Sequence, residues 1–281
     1  STPADQALCN TGNFTMAQTI SVGTGTWTTT NTDVTITNIN DPLTTVTGLP
    51  AGTSATLTWT AVNGTCSVSD DVVITNDVLP VISTPADQAL CNTGNFTMAQ
   101  STSVGTGLWT VESSTGTAPT IANASLATTT VSSLPAGTSA VLRWTVTNGE
   151  CSVFDEVMIQ NDALPVISGE SALCVGETIT LSPTTGGTWT SSSDAIAMIT
   201  DIGVVTGVSA GPVTFTFTDG TTGCESTSEM VNVNALPMIG GATEVCVGTT
   251  ANVTPSIGGT WTSENGNVTV ANTGLITGVT E

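Results

Sequence analysis

Residues 49–77 read "LPAGTSATLTWTAVNGTCSVSDDVVITND". Apolar residues alternate at Leu57, Trp59 and Ala61, the period of a strand with one buried face. Asn63-Gly64 stands between this strand and a second run that carries Cys66. Both residues tolerate positive φ, so the pair predicts a two-residue hairpin. The pattern returns at 134–145 as "LPAGTSAVLRWT" and at 148–162 as "NGECSVFDEVMIQND", with Asn148-Gly149 at the turn. Asp219-Gly220 occupies the same place further on.

The repetition extends outward from these hairpins. An 18-residue block, "STPADQALCNTGNFTMAQ", fills 1–18 and recurs unchanged at 83–100. Successive units are punctuated by "LPVI", "LPVI" and "LPMI" at Pro80, Pro165 and Pro237, steps of 85 (165 − 80) and 72 (237 − 165) residues. Solenoid repeats run ~20 to 50 residues, so steps of this size suit small autonomous domains in tandem. The divisions expected are 1–80, 81–165, 166–237 and an incomplete 238–281. Thr, Val and Gly dominate, no apolar stripe recurs at helical spacing, and short alternating runs are separated by Gly, Asn, Asp and Pro. Each unit is therefore expected to be a β-sandwich, and the chain all-β. The distance from the second Cys of a unit to its linker Pro is 14, 14 and then 13 residues, which predicts a changed register in the last strand of the third unit.

Composition removes most chemistry. Among 281 residues there are 22 Asp plus Glu, one basic residue, Arg143, and no His or Tyr. Without His or Lys there is no imidazole-activated nucleophile, no Schiff base and no phosphate-loop lysine, so no enzyme is expected. A formal charge of −21 repels nucleic acid and anionic lipid. No apolar run approaches the ~20 residues that cross a bilayer, and neither a nucleic-acid partner nor direct membrane insertion is expected. The sequence reads as an excerpt of a longer secreted polypeptide, with any signal or anchor outside it.

The seven Cys fall one early and one late in each complete unit. Pairing within units gives Cys9–Cys66, Cys91–Cys151 and Cys174–Cys224, with a partner for Cys246 beyond the chain. Loops of 50 to 60 residues closed in this way contribute roughly 4 kcal/mol each in the chain-entropy model. The alternative, a metal or redox site, lacks both a C-x-x-C and a His. Disulfides imply an oxidising exterior. Trp27, Trp109, Trp189 and Trp261 follow the first Cys of their units at fixed spacing, and Trp59, Trp144 and Phe217 precede the second by seven residues. Fixed spacing to cysteine reads as core packing; the functional alternative is a platform for stacking sugars. No cofactor is expected. Asp70, Asp71, Asp77, Asp155, Glu156 and Asp162 gather near unit junctions and are the candidates for a stiffening Ca²⁺, against a plain reading as solvated charge that discourages edge pairing.

The third and fourth units, "GGTWTSSSDAIAMITDIGVVTGVSAGPVTFTFT" at 186–218 and "GGTWTSENGNVTVANTGLITGV" at 258–279, resemble bacterial immunoglobulin-like domains of group 2. The first two units resemble repeats of very large Bacteroidota surface proteins, a group that includes gliding-motility adhesins exported by type IX secretion. The resemblance implies tandem immunoglobulin-like sandwiches at the cell surface. With one disulfide inside each sandwich, the function it implies is that of a fibre, filament or adhesin stalk. Self-association and an unidentified surface ligand are the partners expected. Rival readings are a carbohydrate-binding array and a passive spacer of a secreted enzyme. A half unit at a true chain end would also allow polymerisation by strand addition.

Overall fold

The computed structural model describes residues 4–280, which form strands and connecting loops throughout. The chain divides into two compact units, Ser1–Leu164 and Pro165–Glu281.

In the first unit, the first repeat supplies β1 (Gln6–Cys9), β2 (Phe14–Thr15), β3 (Thr24–Thr29), β4 (Thr35–Ile36), β5 (Thr45–Thr47), β6 (Thr53–Asn63) and β7 (Cys66–Asp77). One sheet has the order β1-β7-β6-β3 and the other β2-β5-β4. The second repeat supplies β8 (Gln88–Cys91), β9 (Phe96–Thr97), β10 (Thr106–Ser114), β11 (Thr120–Ile121), β12 (Thr130–Ser132), β13 (Thr138–Asn148) and β14 (Cys151–Asp162). Its sheets are β10-β13-β14-β8 and β11-β12-β9.

Alternation puts Ala55, Leu57 and Trp59 of β6 on the inner face with Val72 and Ile74 of β7, against Phe14, Met16 and Val46 of the opposite sheet. Phe96, Met98, Leu142, Trp144, Val157 and Ile159 repeat the arrangement. Across each hairpin the register is Asn63↔Cys66 and Asn148↔Cys151. The central turn residues are therefore Gly64-Thr65 and Gly149-Glu150, one position later than the sequence suggested. Only the glycines have positive φ, +63° and +57°, which is the type II′ pattern of Gly followed by any residue.

In the second unit the third repeat forms β15 (Ala172–Cys174), β16 (Thr178–Thr180), β17 (Gly187–Ser191), β18 (Ala197–Ile199), β19 (Val204–Gly207), β20 (Gly211–Val213), β21 (Phe215–Asp219), β22 (Glu225–Thr227) and β23 (Val231–Asn234). The single last strand of the earlier repeats is split here. β22 pairs with β21, whereas β23 pairs with β15 and β20 in another sheet. The break falls at Ser228, whose Oγ accepts from the Phe215 amide at 3.0 Å and whose amide donates to the Phe215 carbonyl at 2.8 Å. The changed register expected from the shortened spacing is thus a strand that crosses between sheets. β24 (Gly240–Gly241), β25 (Thr250–Thr254), β26 (Val268–Val270) and β27 (Leu275–Gly278) complete the chain as one sheet, β24-β25-β27-β26.

Candidate functional site

β1 lies parallel to β7 and meets its far end, with Cys9 opposite Asp77, while Cys66 opens β7. Eleven steps of strand (77 − 66) separate the two positions, roughly 36 Å at ~3.3 Å per residue. A disulfide requires Cα atoms within ~4.4–6.8 Å, so a sandwich of this topology cannot close on itself. Cys91 lies opposite Asp162 at the far end of β14, which begins at Cys151, and Cys174 lies opposite Asn234. Each of the first two repeats carries one cysteine at each pole.

The bond forms between repeats instead. Cys9 is joined to Cys151, 142 residues away, with Cα atoms 4.8 Å apart. Cys66, Cys174 and Cys246 are free thiols, and Cys91 and Cys224 are each disulfide-bonded. The expected pairs Cys9–Cys66, Cys91–Cys151 and Cys174–Cys224 are therefore not formed. The physical reason is register: β1 pairs with the last four residues of β7 and β8 with the last four of β14, which places the early cysteine at the pole opposite the late one.

Around this bond the linker of the first repeat is built into the second. Ile82 forms an antiparallel bridge with Thr102 and packs against the second core. The Ser103 amide donates to the Val81 carbonyl, and the Val81 amide to Ser103 Oγ, both at 3.0 Å. Ser83 Oγ donates to Gln100 Oε1 at 2.9 Å and accepts from the Ser101 amide at 2.9 Å. At the hairpin tip Asn148 Nδ2 donates to the Val78 carbonyl, and the Glu150 amide to Asp77 Oδ2, each at 2.8 Å. A Cβ added to Gly149 would stand 2.1 Å from Asp77 Oδ2, so this turn requires glycine twice over, for its φ and for the carboxylate above it.

The aromatic residues singled out by spacing lie inside the sandwiches. Trp27, Trp59, Trp109, Trp144, Trp189 and Phe217 are at most 5 % exposed, and Trp261 is half-buried. They meet in pairs, Trp27 with Trp59, Trp109 with Trp144 and Trp189 with Phe217, at centroid distances of 5.0, 5.2 and 5.1 Å. Edge-tilted contact at that range is the favoured packing of aromatic quadrupoles.

The junction carboxylates stand apart from one another. Asp71 accepts from Thr58, Asp70 from the Asp71 amide, and Asp155 from Gln100. Glu156 pairs with Arg143, and Asp162 accepts from Gln160. Asp77 is taken up by the hairpin tip already described. Among the described residues no three His, Cys, Asp or Glu converge as metal ligands. Each carboxylate has a local hydrogen-bond or charge partner and none shares a cation-sized space with two others.

No protein-family model matches the chain, and no curated protein matches it in sequence. Among solved structures, a three-domain immunoglobulin fragment of titin, I67–I69 in an E-to-A variant, superimposes with a TM-score of 0.52 at 12 % identity. The unsubstituted I-band fragment I67–I69 gives 0.50 at 11 %. Each match covers 84 % of this chain and 96 % of the titin fragment. At such identity the likeness concerns architecture: the chain is an all-β tandem of immunoglobulin-like sandwiches.

Sequence reasoning placed Asp77 and the Pro80 segment at a junction and Asn148 at a turn, but missed Gln100 and missed that the linker and the hairpin tip hold one another. A signal was present. Cys66, Val68 and Asp70 share the two-residue phase of Val72 and Ile74, so the inward face of β7 continues past its own core. An apolar face that outruns its sandwich calls for a cover from elsewhere.

Proposed function

We propose that the chain is an extracellular structural repeat protein, a stalk or fibre segment in which four sandwiches, at 1–80, 81–165, 166–237 and from 238, are copied to give length. The observation that carries this reading is the Cys9–Cys151 bond, which spends a cysteine from each of two repeats on joining them. A module selected for binding has no use for such a bond. A module selected to hold its neighbour under load does. The oxidised cysteines favour an exterior location, and resemblance to Bacteroidota repeats favours the cell surface and the type IX route. Burial of the paired aromatics weighs against a sugar-stacking platform, and the dispersed carboxylates weigh against hydrolysis by an acid–base pair.

The test is immunogold microscopy of producing cells with antibody against residues 4–164. Gold is expected outside the envelope. Insertion of one further copy of residues 1–82 is expected to move a tip label outward by about 40 Å, the length of a 12-residue strand such as β7 at ~3.3 Å per residue. Gold confined to the cytoplasm, or a tip distance insensitive to repeat number, overturns the reading.

A further inference from the structure

Among the described residues, the pole that the second repeat covers with the preceding linker is open in the first. A cleft of about 630 Å³ lies there, lined by Trp59, Ala61, Val62, Cys66 and Val68 of the hairpin and by Gln18 to Val22 opposite. Its members are the counterparts of residues already described at the junction. Val68 is 69 % exposed where Val153 is half-buried. Cys66 is exposed where Cys151 is 0 % exposed, and Ala61 is half-buried where Val146 is fully buried. Gly64 has no atom within 4 Å of an added Cβ, whereas Gly149 meets Asp77. Gln18 is 2 % exposed and its Nε2 has no hydrogen-bond partner, whereas Gln100 is bonded on both amide atoms, through Nε2 to Asp155 and through Oε1 to linker Ser83. The third repeat is capped in the covered manner: Ile167 packs on its core and Ser168 exchanges two backbone hydrogen bonds with Ser182.

We infer that the Cys66 pole of the first repeat is a docking site for a further bead of this same repeat type. The bead inserts its linker, of the Asp77–Ser83 type, as an edge strand across Ile20 and Val22, and bonds its early cysteine to Cys66. This rests on the modular stalk reading and deepens it by naming the partner and the acceptor atom. Main-chain pairing supplies affinity and alternate apolar side chains supply register, as in strand addition generally. The covalent step is thiol–disulfide exchange with a low-molecular-weight disulfide such as glutathione disulfide. The incoming cysteine thiolate displaces one glutathione thiolate to form a mixed disulfide. The Cys66 thiolate then attacks the protein sulfur and releases the second. Two protein thiols are oxidised and one small disulfide is reduced to two thiols, the two departing glutathione thiolates taking up the two protons the protein sulfurs lose.

The experiment uses the intact chain and a synthetic peptide of residues 77–84, Asp-Val-Leu-Pro-Val-Ile-Ser-Thr. The rate of Cys66 alkylation is read by mass spectrometry, with the free thiol of Cys174 as internal reference. Saturating peptide is expected to slow Cys66 at least fivefold and leave Cys174 unchanged. Exposed Val68→Asp, which removes no core contact, is expected to abolish the protection. No effect at millimolar peptide, or equal protection by a scrambled peptide, overturns the site.

The bond is tested by adding a copy of residues 1–82 before Ser1, which reproduces the native Ile82–Ser83 join, and refolding in glutathione buffer. The added cysteines are expected to leave the number of titratable thiols unchanged. With Cys66→Ser, both added cysteines are expected to titrate as free alongside Cys174 and Cys246. Two extra thiols in the unsubstituted chain, or closure of the added pair on itself in the Cys66→Ser chain, overturns the bond. Neither result depends on where gold labels the cell, so the stalk reading and this site fail separately.

Discussion

Cys9→Ser and Cys66→Ser are expected to have sharply unequal consequences for stability. Cys9 closes a 142-residue loop through Cys151. In the chain-entropy model that loop constrains the unfolded state by roughly 17 cal/mol/K, or about 5 kcal/mol at 25 °C. The figure is an upper limit, because Cys91 lies inside the loop and is itself cross-linked. Cys66 is a free, exposed thiol, and a surface substitution of that kind stays within about 0.5 kcal/mol. For a unit of this size 1 kcal/mol moves the melting temperature by ~2–4 °C. Cys9→Ser is thus expected to lower the transition of the first unit by up to roughly 10–20 °C, and Cys66→Ser by no more than about 2 °C. Thermal and urea unfolding under non-reducing conditions, with intact mass to verify oxidation, reads both. Closure within the repeat would make the two variants equivalent, each losing up to roughly 4 kcal/mol. Equal losses, or a silent Cys9→Ser, would refute the polar arrangement of the cysteines.

Four further outcomes are expected. Asn76, 3 % exposed, accepts from the Thr11 amide and donates to the Leu49 carbonyl, as Asn161 does with Thr93 and Leu134; Asn76→Ala strands both partners and should cost about 2–4 kcal/mol in urea unfolding. Arg143 bridges Glu112 and Glu156 over the Phe154 ring but remains a third exposed, so Arg143→Ala should cost under about 1 kcal/mol, a loss that shrinks in 1 M salt. Hydrogen bonds from the Thr222 and Thr221 amides hold the Asp219 carboxyl below the usual carboxylate range. Its folded pKa is depressed, so its contribution is present above the ordinary carboxylate pKa and is lost as pH falls through the lower folded value. Amide exchange at Thr221 and Thr222 should accelerate in that acid window, whereas Asp219→Asn should show no such pH step. Desolvation, with the Glu177 carboxylate adding to it, raises the Cys174 thiol pKa; the midpoint of its alkylation profile should fall in Glu177→Gln without reaching that of a free cysteine.

Much of the sandwich was legible because strand burial is a local, period-two property. Leu57 and Trp59 declare an inner face by themselves, and the fixed spacing of Trp27 and Trp109 from cysteine marks rings that do lie inside. The hairpin at Asn63-Gly64 was legible to within one residue, since Gly alone supplies the positive φ and either neighbour can share the turn. The cysteine partners were not legible. They depend on which end of β7 the short strand β1 pairs with, a non-local choice that leaves Cys9 either near Cys66 or a full strand away. Even spacing in sequence looked like closure of each repeat, although it equally describes two poles waiting for neighbours. The carboxylates of 70–77 and 155–162 are close in sequence, but alternation along a strand sends neighbouring side chains to opposite faces.

The bond between Cys9 and Cys151 also changes what a broken backbone means. A protease that cuts the exposed chain anywhere between those residues leaves both fragments tethered by sulfur, so a single nick weakens the molecule without parting it. Parting those fragments demands a second injury, reduction of the bond itself. A polymer laid out in this way tolerates damage as a rope with two strands does, and its lifetime in a hostile medium is set by coincident events.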